Sequence, residues 1–223
     1  MSTTRTTTLL SEGYGAKETG FLKMETGWLY LVVGPSGAGK DTLLDAARQR
    51  FGNTTSVIFP RRSITRPTNA GGENHLGLSV EEFTRKKRAG IFALSWDAHD
   101  LKYGIPRSIN DELSEGKCVV VNVSRSVLNE ARSEYPNLRI ISITVDPDIL
   151  SQRLHARGRE SEADIQKRLE RAKSYRVRGD DVIEIDNSGA LEDAITNFVM
   201  AIENPYLQTS HPYRYSESPT LRG

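Results

Sequence analysis

Gly34-Pro-Ser-Gly-Ala-Gly-Lys40-Asp41-Thr42 follows the apolar run Trp28-Leu-Tyr-Leu-Val-Val33 and leads into Leu43-Leu-Asp-Ala-Ala-Arg48. The order is strand, glycine-rich turn, helix start, which is the context a phosphate-binding loop requires. Main-chain N–H groups of Gly34, Ser36, Gly37, Ala38 and Gly39 would wrap a polyphosphate, with the helix N-terminus adding a favourable dipole; Pro35 belongs to the same nucleotide-binding loop and contributes shape without a donor. Lys40 is placed to reach the β- and γ-phosphates. The residue after such a lysine is usually Ser or Thr, whose hydroxyl ligates Mg²⁺. Here Asp41 stands there and Thr42 follows. A carboxylate at this point either holds Mg²⁺, directly or through water, or caps the helix, where negative charge is favoured. The sequence leaves both open.

The chain has 223 residues, enough for one α/β domain with a real core or at most two small units. Its formal net charge of +1 gives no global attraction to nucleic acid or anionic membrane. The single cysteine, Cys118, rules out an intramolecular disulfide framework and fits a reducing cytoplasm. It lies in Cys118-Val-Val-Val-Asn122, which reads as core. No apolar run approaches the ~20 residues of a membrane span. The N-terminus lacks the apolar stretch of a secretory signal.

Residues 1–26, rich in Ser, Thr and Gly, read as a mobile extension; the ordered domain is expected over 27–203, with an irregular tail over 204–223. Strands are expected at 28–33, 56–59, 92–96, 117–123, 138–145 and 182–185. Between them lie helices from the loop to about 51, then near 79–90, 111–116, 126–134, 149–156, 161–175 and 191–203. Ser79-Val-Glu-Glu82 has the pattern of a capping box. Residues 61–77 read as a polar stretch within an insertion that extends to about Tyr103, where a substrate-holding subdomain would fit. Alternating strands and helices predict a mainly parallel sheet covered on both faces, an α/β fold. Ligands of such sheets bind beyond the carboxyl ends of the strands, where the loop, Asn122 to Arg125, and Asp146 are expected.

Arginines narrow the reading. Arg157-Gly-Arg159-Glu160 places two cations around a glycine between helices, and Arg168 and Arg171 share one helix face at i, i+3. Phosphoryl transfer spreads charge over the equatorial oxygens, which mobile arginines stabilise. A segment hinged at glycine can close as a lid and exclude water. The competing reading is a solvated, salt-bridged helix, since Glu160, Glu162, Asp164 and Glu170 are near.

Gly34-Pro-Ser-Gly-Ala-Gly-Lys40, Thr65-Arg66-Pro67, Ser79-Val-Glu-Glu-Phe83, Tyr103-Gly104 and Arg157-Gly158 with Arg168-Leu169 occur in the order seen in guanylate kinases. Over residues 28 to about 203 the chain resembles that family, which implies a phosphate-loop kinase fold with core, lid and small substrate-binding subdomain. Its guanine-reading positions differ. Leu94 takes the place of the base-binding Glu, Asn122-Val-Ser124 that of an Asp-x-Asp, His75 that of a phosphate-binding Tyr, and Asn69 that of a second arginine. Leucine cannot accept from guanine N1–H and N2–H, and unpaired polar edges cost ~1–3 kcal/mol each.

The departures resemble the ribose 1,5-bisphosphate phosphokinases of this kinase group: Arg61-Arg62-Ser-Ile64, Glu73-Asn74-His75, Ala93-Leu-Ser-Trp96, Asn122-Val-Ser-Arg125 and Gly-Lys-Asp after the loop. That resemblance implies ATP and ribose 1,5-bisphosphate as substrates, 5-phosphoribosyl 1-diphosphate and ADP as products, Mg²⁺, and a place in phosphonate catabolism. It implies catalytic roles for Lys40, Arg157 and Arg168, and substrate binding by Arg62, Arg66, His75, Tyr103, Asn122, Ser124 and Arg125. It also implies an adenine contact at Asn187, in a turn that is otherwise an ordinary Asp-Asn-Ser-Gly. Magnesium falls to Asp41 and Thr42. The partners expected are small molecules only, neither nucleic acid nor membrane, with a second copy of the chain left open. The rivals are a guanylate or other small-molecule kinase and a non-catalytic scaffold; the intact Lys40 speaks against the scaffold.

Overall fold

The structure, a computed structural model, describes residues 26–68, 73–158, 161–174 and 176–206. From the amino end run β1 (Leu29–Val33), α1 (Lys40–Phe51), β2 (Val57–Ile58), β3 (Ser63–Ile64), β4 (Leu76–Gly77), α2 (Val80–Arg88), β5 (Phe92–Ala98) and β6 (Leu101–Pro106). They are followed by α3 (Ile109–Ser114), β7 (Cys118–Asn122), α4 (Leu128–Glu134), β8 (Leu138–Thr144), α5 (Pro147–Arg157), α6 (Glu162–Ser174), β9 (Val182–Asp186) and α7 (Leu191–Glu203).

The expected parallel sheet is present. Five strands lie in the order β2-β7-β1-β8-β9, all parallel. β1 is its centre, and all five of its residues are fully buried. That explains a continuous apolar run where a half-exposed strand would alternate. Successive side chains point to opposite faces. Leu29, Leu31 and Val33 enter one core with Leu113 of α3 and Leu128 of α4, while Tyr30 and Val32 enter another with Leu43 of α1 and Phe198 of α7. The Tyr30 hydroxyl donates to the Ile202 carbonyl at 3.0 Å, which ties α7 to the sheet. Burial pushes that phenol's pKa up, so it remains a donor.

A second sheet of four strands has the order β4-β3-β6-β5. β5 and β6 form an antiparallel hairpin whose turn, His99-Asp100, has positive φ at both residues. Leu94, Trp96 and Ile105 of this hairpin join the core beneath the parallel sheet. The small sheet is therefore anchored by hydrocarbon. Its strands β3 and β4 lie inside residues 61–77, read above as a polar stretch, and β6 was not anticipated. Two-residue strands carry no readable period. In β6, Lys102-Tyr-Gly breaks the alternation.

The capping box is present: Ser79 Oγ accepts from the Glu82 N–H at 3.1 Å and a Glu82 carboxylate oxygen accepts from the Ser79 N–H at 2.8 Å. α5 starts at Pro147, two residues before the expected Ile149, because Asp146 Oδ1 accepts from the Asp148 N–H at 2.8 Å and proline suits the first helical position. α5 and α6 form an antenna over the sheet, joined through Gly158 at φ 59° and packed by Leu150, Leu154 and Ile165.

Candidate active site

Because the five strands are parallel, β1, β7, β8 and β9 all deliver their carboxyl ends to one edge. Val32 of β1 pairs with Asn122 of β7, and the Val123 N–H donates to the Val32 carbonyl at 3.0 Å. This brings the segment Asn122 to Arg125 beside the glycine-rich loop. Within the loop, Gly37 and Gly39 have φ of 95° and 89°, a region side chains resist. A Cβ on Gly39 would also run into the Asn187 amide. That amide donates to the Ala38 carbonyl at 2.7 Å. Asn187 is thus buried against the loop as a brace, and its Oδ1 has no hydrogen-bond partner.

Lys40 opens α1 and its ammonium folds back to donate to the Gly34 and Pro35 carbonyls at 2.9 and 3.0 Å. The helix cap is Gly39, without a side-chain capping bond, and Asp41 sits inside the first turn, where the helix dipole favours its negative charge. Thr42 is exposed in the same turn. From α6, Arg168 Nη1 donates to Ser36 Oγ at 2.6 Å, so the antenna already touches the loop.

These elements enclose a cavity of about 360 Å³. Gly34, Pro35, Ser36 and Lys40 line it from the loop, and Asn122, Val123, Ser124 and Arg125 from the end of β7. The small sheet contributes Arg62, Trp96, Ala98, His99 and Tyr103, and α6 contributes Arg168, Arg171 and Ala172. Five of these are Lys or Arg, and among the described residues no carboxylate lines the space. Trp96 and Tyr103 stack with centroids 5.3 Å apart. Burial, the chief cause, raises the Tyr103 pKa, while Arg62 and Arg66 pull it down. The phenol stays neutral at pH 7 and is a hydrogen-bond donor.

Several predicted residues lie elsewhere. Arg66 and His75 do not line the cavity. His75 is 1% exposed; its Nδ1 lies 2.9 Å from the Glu73 carbonyl and its Nε2 3.2 Å from the Arg66 carbonyl, so it joins two limbs of the small sheet. Arg66 Nη2 stands 3.4 Å from His75 Nδ1, and its buried Nε has no partner. Ser124 Oγ accepts from the Ser126 N–H, holding the turn that presents Arg125. Arg157 ends α5, and its side chain lies outside the described residues, as do Asn69, Arg159 and Glu160 in full. Asp41 lines a neighbouring cavity of about 660 Å³ with Asp45, Arg48, Glu73 and Asn74; Arg62 and Asn122 border both spaces. The sequence reading gave no role to Glu73, whose carboxylate holds Arg62. Spacing on α6 did set Arg171 beside Arg168, one helical turn away, and both line the cavity; no local pattern marks a pair eleven residues apart.

A nucleotide loop at the carboxyl edge of a parallel sheet, a helical antenna and a small side sheet define a phosphate-loop kinase. The family described as guanylate kinase matches residues 26–204, and the chain belongs to that family. More particularly, it is similar to the ribose 1,5-bisphosphate phosphokinase PhnN of Rhizobium etli strain CIAT 652, at 46% identity over 80% of this chain and 91% of the relative. With the protein of the same name from Agrobacterium fabrum strain C58 the identity is 49%, over 74% of this chain and 91% of the relative. Among solved structures, the guanylate kinase of Anaplasma phagocytophilum shares the fold at TM-score 0.59 and 16% identity, covering 83% of this chain and 89% of that one.

Proposed function

We propose that the chain transfers the γ-phosphoryl group of ATP to ribose 1,5-bisphosphate, giving 5-phosphoribosyl 1-diphosphate and ADP, in the cytoplasm and in phosphonate catabolism. The observation that carries the reading is the cavity between loop and small sheet, cationic along its length and free of carboxylates among its described lining residues. Such a space suits a sugar with a phosphate at each end and, among its described lining residues, offers no carboxylate to the donor edge of guanine. Leu94, at the position the resemblance gives a guanine-reading carboxylate, is 1% exposed in the core. The relatives' names agree with this substrate.

An oxygen of the 1-phosphate attacks the γ-phosphorus in line, and the bond to the bridging oxygen of ADP breaks. That phosphate is ionised at neutral pH, so no strong base is needed. Lys40, released from its loop carbonyls, faces the β- and γ-phosphates. Arg168, and Arg157 at the end of α5, balance the equatorial charge. Arg62, Arg66, Arg125, His75, Tyr103, Asn122 and Ser124 form the substrate side, some by contact and some by shaping the small sheet. The unpaired Asn187 Oδ1 has the polarity that an adenine amino group requires. The hard oxygens of Asp41 and Thr42 fit magnesium, which when bound neutralises the phosphates. Residues 27–203 act as one kinase domain. Side-by-side assays with ATP and either ribose 1,5-bisphosphate or GMP decide the matter: kcat/KM is expected to favour the sugar phosphate by orders of magnitude, and a preference for GMP overturns the reading.

A further inference from the structure

Arg62 is not a mobile cation. It is 9% exposed, and Nε and Nη2 both donate to the Glu73 carboxylate, Nε to Oε2 at 2.7 Å. Nη1 donates to the Asn122 carbonyl at 2.9 Å. The Tyr103 and Trp96 rings lie 5.4 and 5.9 Å from the guanidinium carbon. A buried ion pair of this kind seldom gains stability over an apolar pair of the same volume, so its retention asks for another reason.

Its place supplies one. Asn122 is paired with Val32, two residues before Gly34, so the Arg62–Glu73 pair hangs from the strand next to the phosphate loop. Adjacent strands are about 4.8 Å apart, a distance comparable to one sugar ring. Ribose 1,5-bisphosphate carries phosphates that accept and two groups that donate, the hydroxyls on C2 and C3. Among its described lining residues the cationic cavity has no carboxylate to receive them. The adjoining cavity, which shares Arg62 and Asn122 with it, is lined by Asp41, Asp45 and Glu73. Asp41 and Asp45 are exposed on α1, and Asp45 accepts from Arg48 at 2.6 Å. Glu73 is the one of the three fixed by a buried cation, and each of its oxygens retains a lone pair. Arg62 also offsets the charge that would otherwise repel a bisphosphate.

We infer that Glu73 is the specificity-determining residue that accepts a hydrogen bond from a ribose hydroxyl, with Arg62 as its positioning residue; this rests on the sugar-phosphate reading above. The test compares ribose 1,5-bisphosphate with its 2-deoxy and 3-deoxy counterparts on wild-type protein and on Glu73→Gln. Wild-type kcat/KM is expected to fall by about tenfold to a hundredfold for one deoxy compound, the range of a hydrogen bond to a charged group. Glu73→Gln should show that loss with the ribose compound and little with the same deoxy compound, with KM for ATP unchanged. Losses equal on all three sugars, or no loss, overturn the assignment and leave the pair a brace. Wild-type protein inert toward ribose 1,5-bisphosphate overturns the substrate reading itself, and the Glu73 assignment with it. If the glutamine variant does not fold, Glu73→Asp, which withdraws the carboxylate by one methylene, gives the same comparison.

Discussion

The phosphate loop and the small sheet face one another across the same cavity, yet they are made differently. The loop half is built from main chain: Gly37 and Gly39 in positive-φ conformations, the opening turn of α1, and Asn187 bracing Ala38 from behind. The small-sheet half is built from side chains brought together across the chain, with Arg62 held by Glu73, capped by Trp96 and Tyr103, and tied to Asn122. Main-chain donors fix the shape of a polyphosphate and cannot vary without changing the fold. Side-chain constellations can be exchanged while the strands beneath them stay. On the function proposed above, the loop half would determine what kind of reaction is possible, and the other half on what.

The largest effect should separate the two halves by rate. On the proposed reaction Lys40→Ala removes the charge that would face the transferring group, and turnover is expected to fall about 10³-fold with circular dichroism unchanged. A folded variant with near wild-type turnover would show that the loop is not where reaction occurs. Next comes the side-chain half. Arg62→Ala leaves the Glu73 carboxylate, 24% exposed, without its cation. Breaking a buried pair costs about 3–5 kcal/mol, and the partial exposure of Glu73 puts the expectation at the lower end. Urea unfolding measures it, and the Arg62→Ala/Glu73→Ala double variant should lose less than the single one. If the double variant is the less stable, the pair is not the unit described here.

The main-chain half is sharpened by Gly39→Ala. A side chain at φ 89° costs about 1–2 kcal/mol, and crowding against Asn187 adds to it. Because Asn187→Ala also removes the brace to Ala38, the comparison is made in both backgrounds: Gly39→Ala should lower Tm less on Asn187→Ala protein than on wild type, leaving the conformational part. No loss at all in that background would mean that φ carries no strain. The smallest effect lies in the antenna above both halves. His155 Nδ1 meets the Ser151 carbonyl at 2.8 Å and Nε2 meets a Glu162 oxygen at 2.9 Å across the Gly158 joint. Those partners, the Ser151 carbonyl first, raise the His155 pKa above 6.5, and His155 lowers that of Glu162 below 4.5. The imidazolium's contribution is complete below 6.5 and lost as pH rises through the raised value; the carboxylate's is complete above 4.5 and lost below the lowered value. The Tm difference between wild type and His155→Gln should be greatest between those pH values and vanish in alkali. A difference independent of pH would refute this latch.

The same division explains what could be read in the sequence. Glycine spacing, the valine run of β7 and the Ser79 capping box are local signals, and loop, parallel sheet and α2 were legible from them. β3, β4 and β6 were not, because their side chains answer to the neighbouring strand and not to a period of their own. Arg62 was legible as a candidate cation of the site, and it lines the cavity. That its charge is taken up by Glu73, eleven residues on, was not, because nothing adjacent in sequence records who pairs with whom. His75 drew notice as a phosphate ligand through resemblance, while its two ring nitrogens face main-chain carbonyls.

Leu94 limits how this pocket could be redesigned. It is 1% exposed among Trp96, Ile105 and the underside of the parallel sheet. The resemblance assigns a guanine-reading carboxylate to this position. Placing glutamate there would drive an ionised group into hydrocarbon with no partner, a heavy cost. A Leu94→Glu exchange therefore damages the fold before it can supply a contact to guanine. Engineering a base-reading carboxylate at this position would first require an opening in the core under β5.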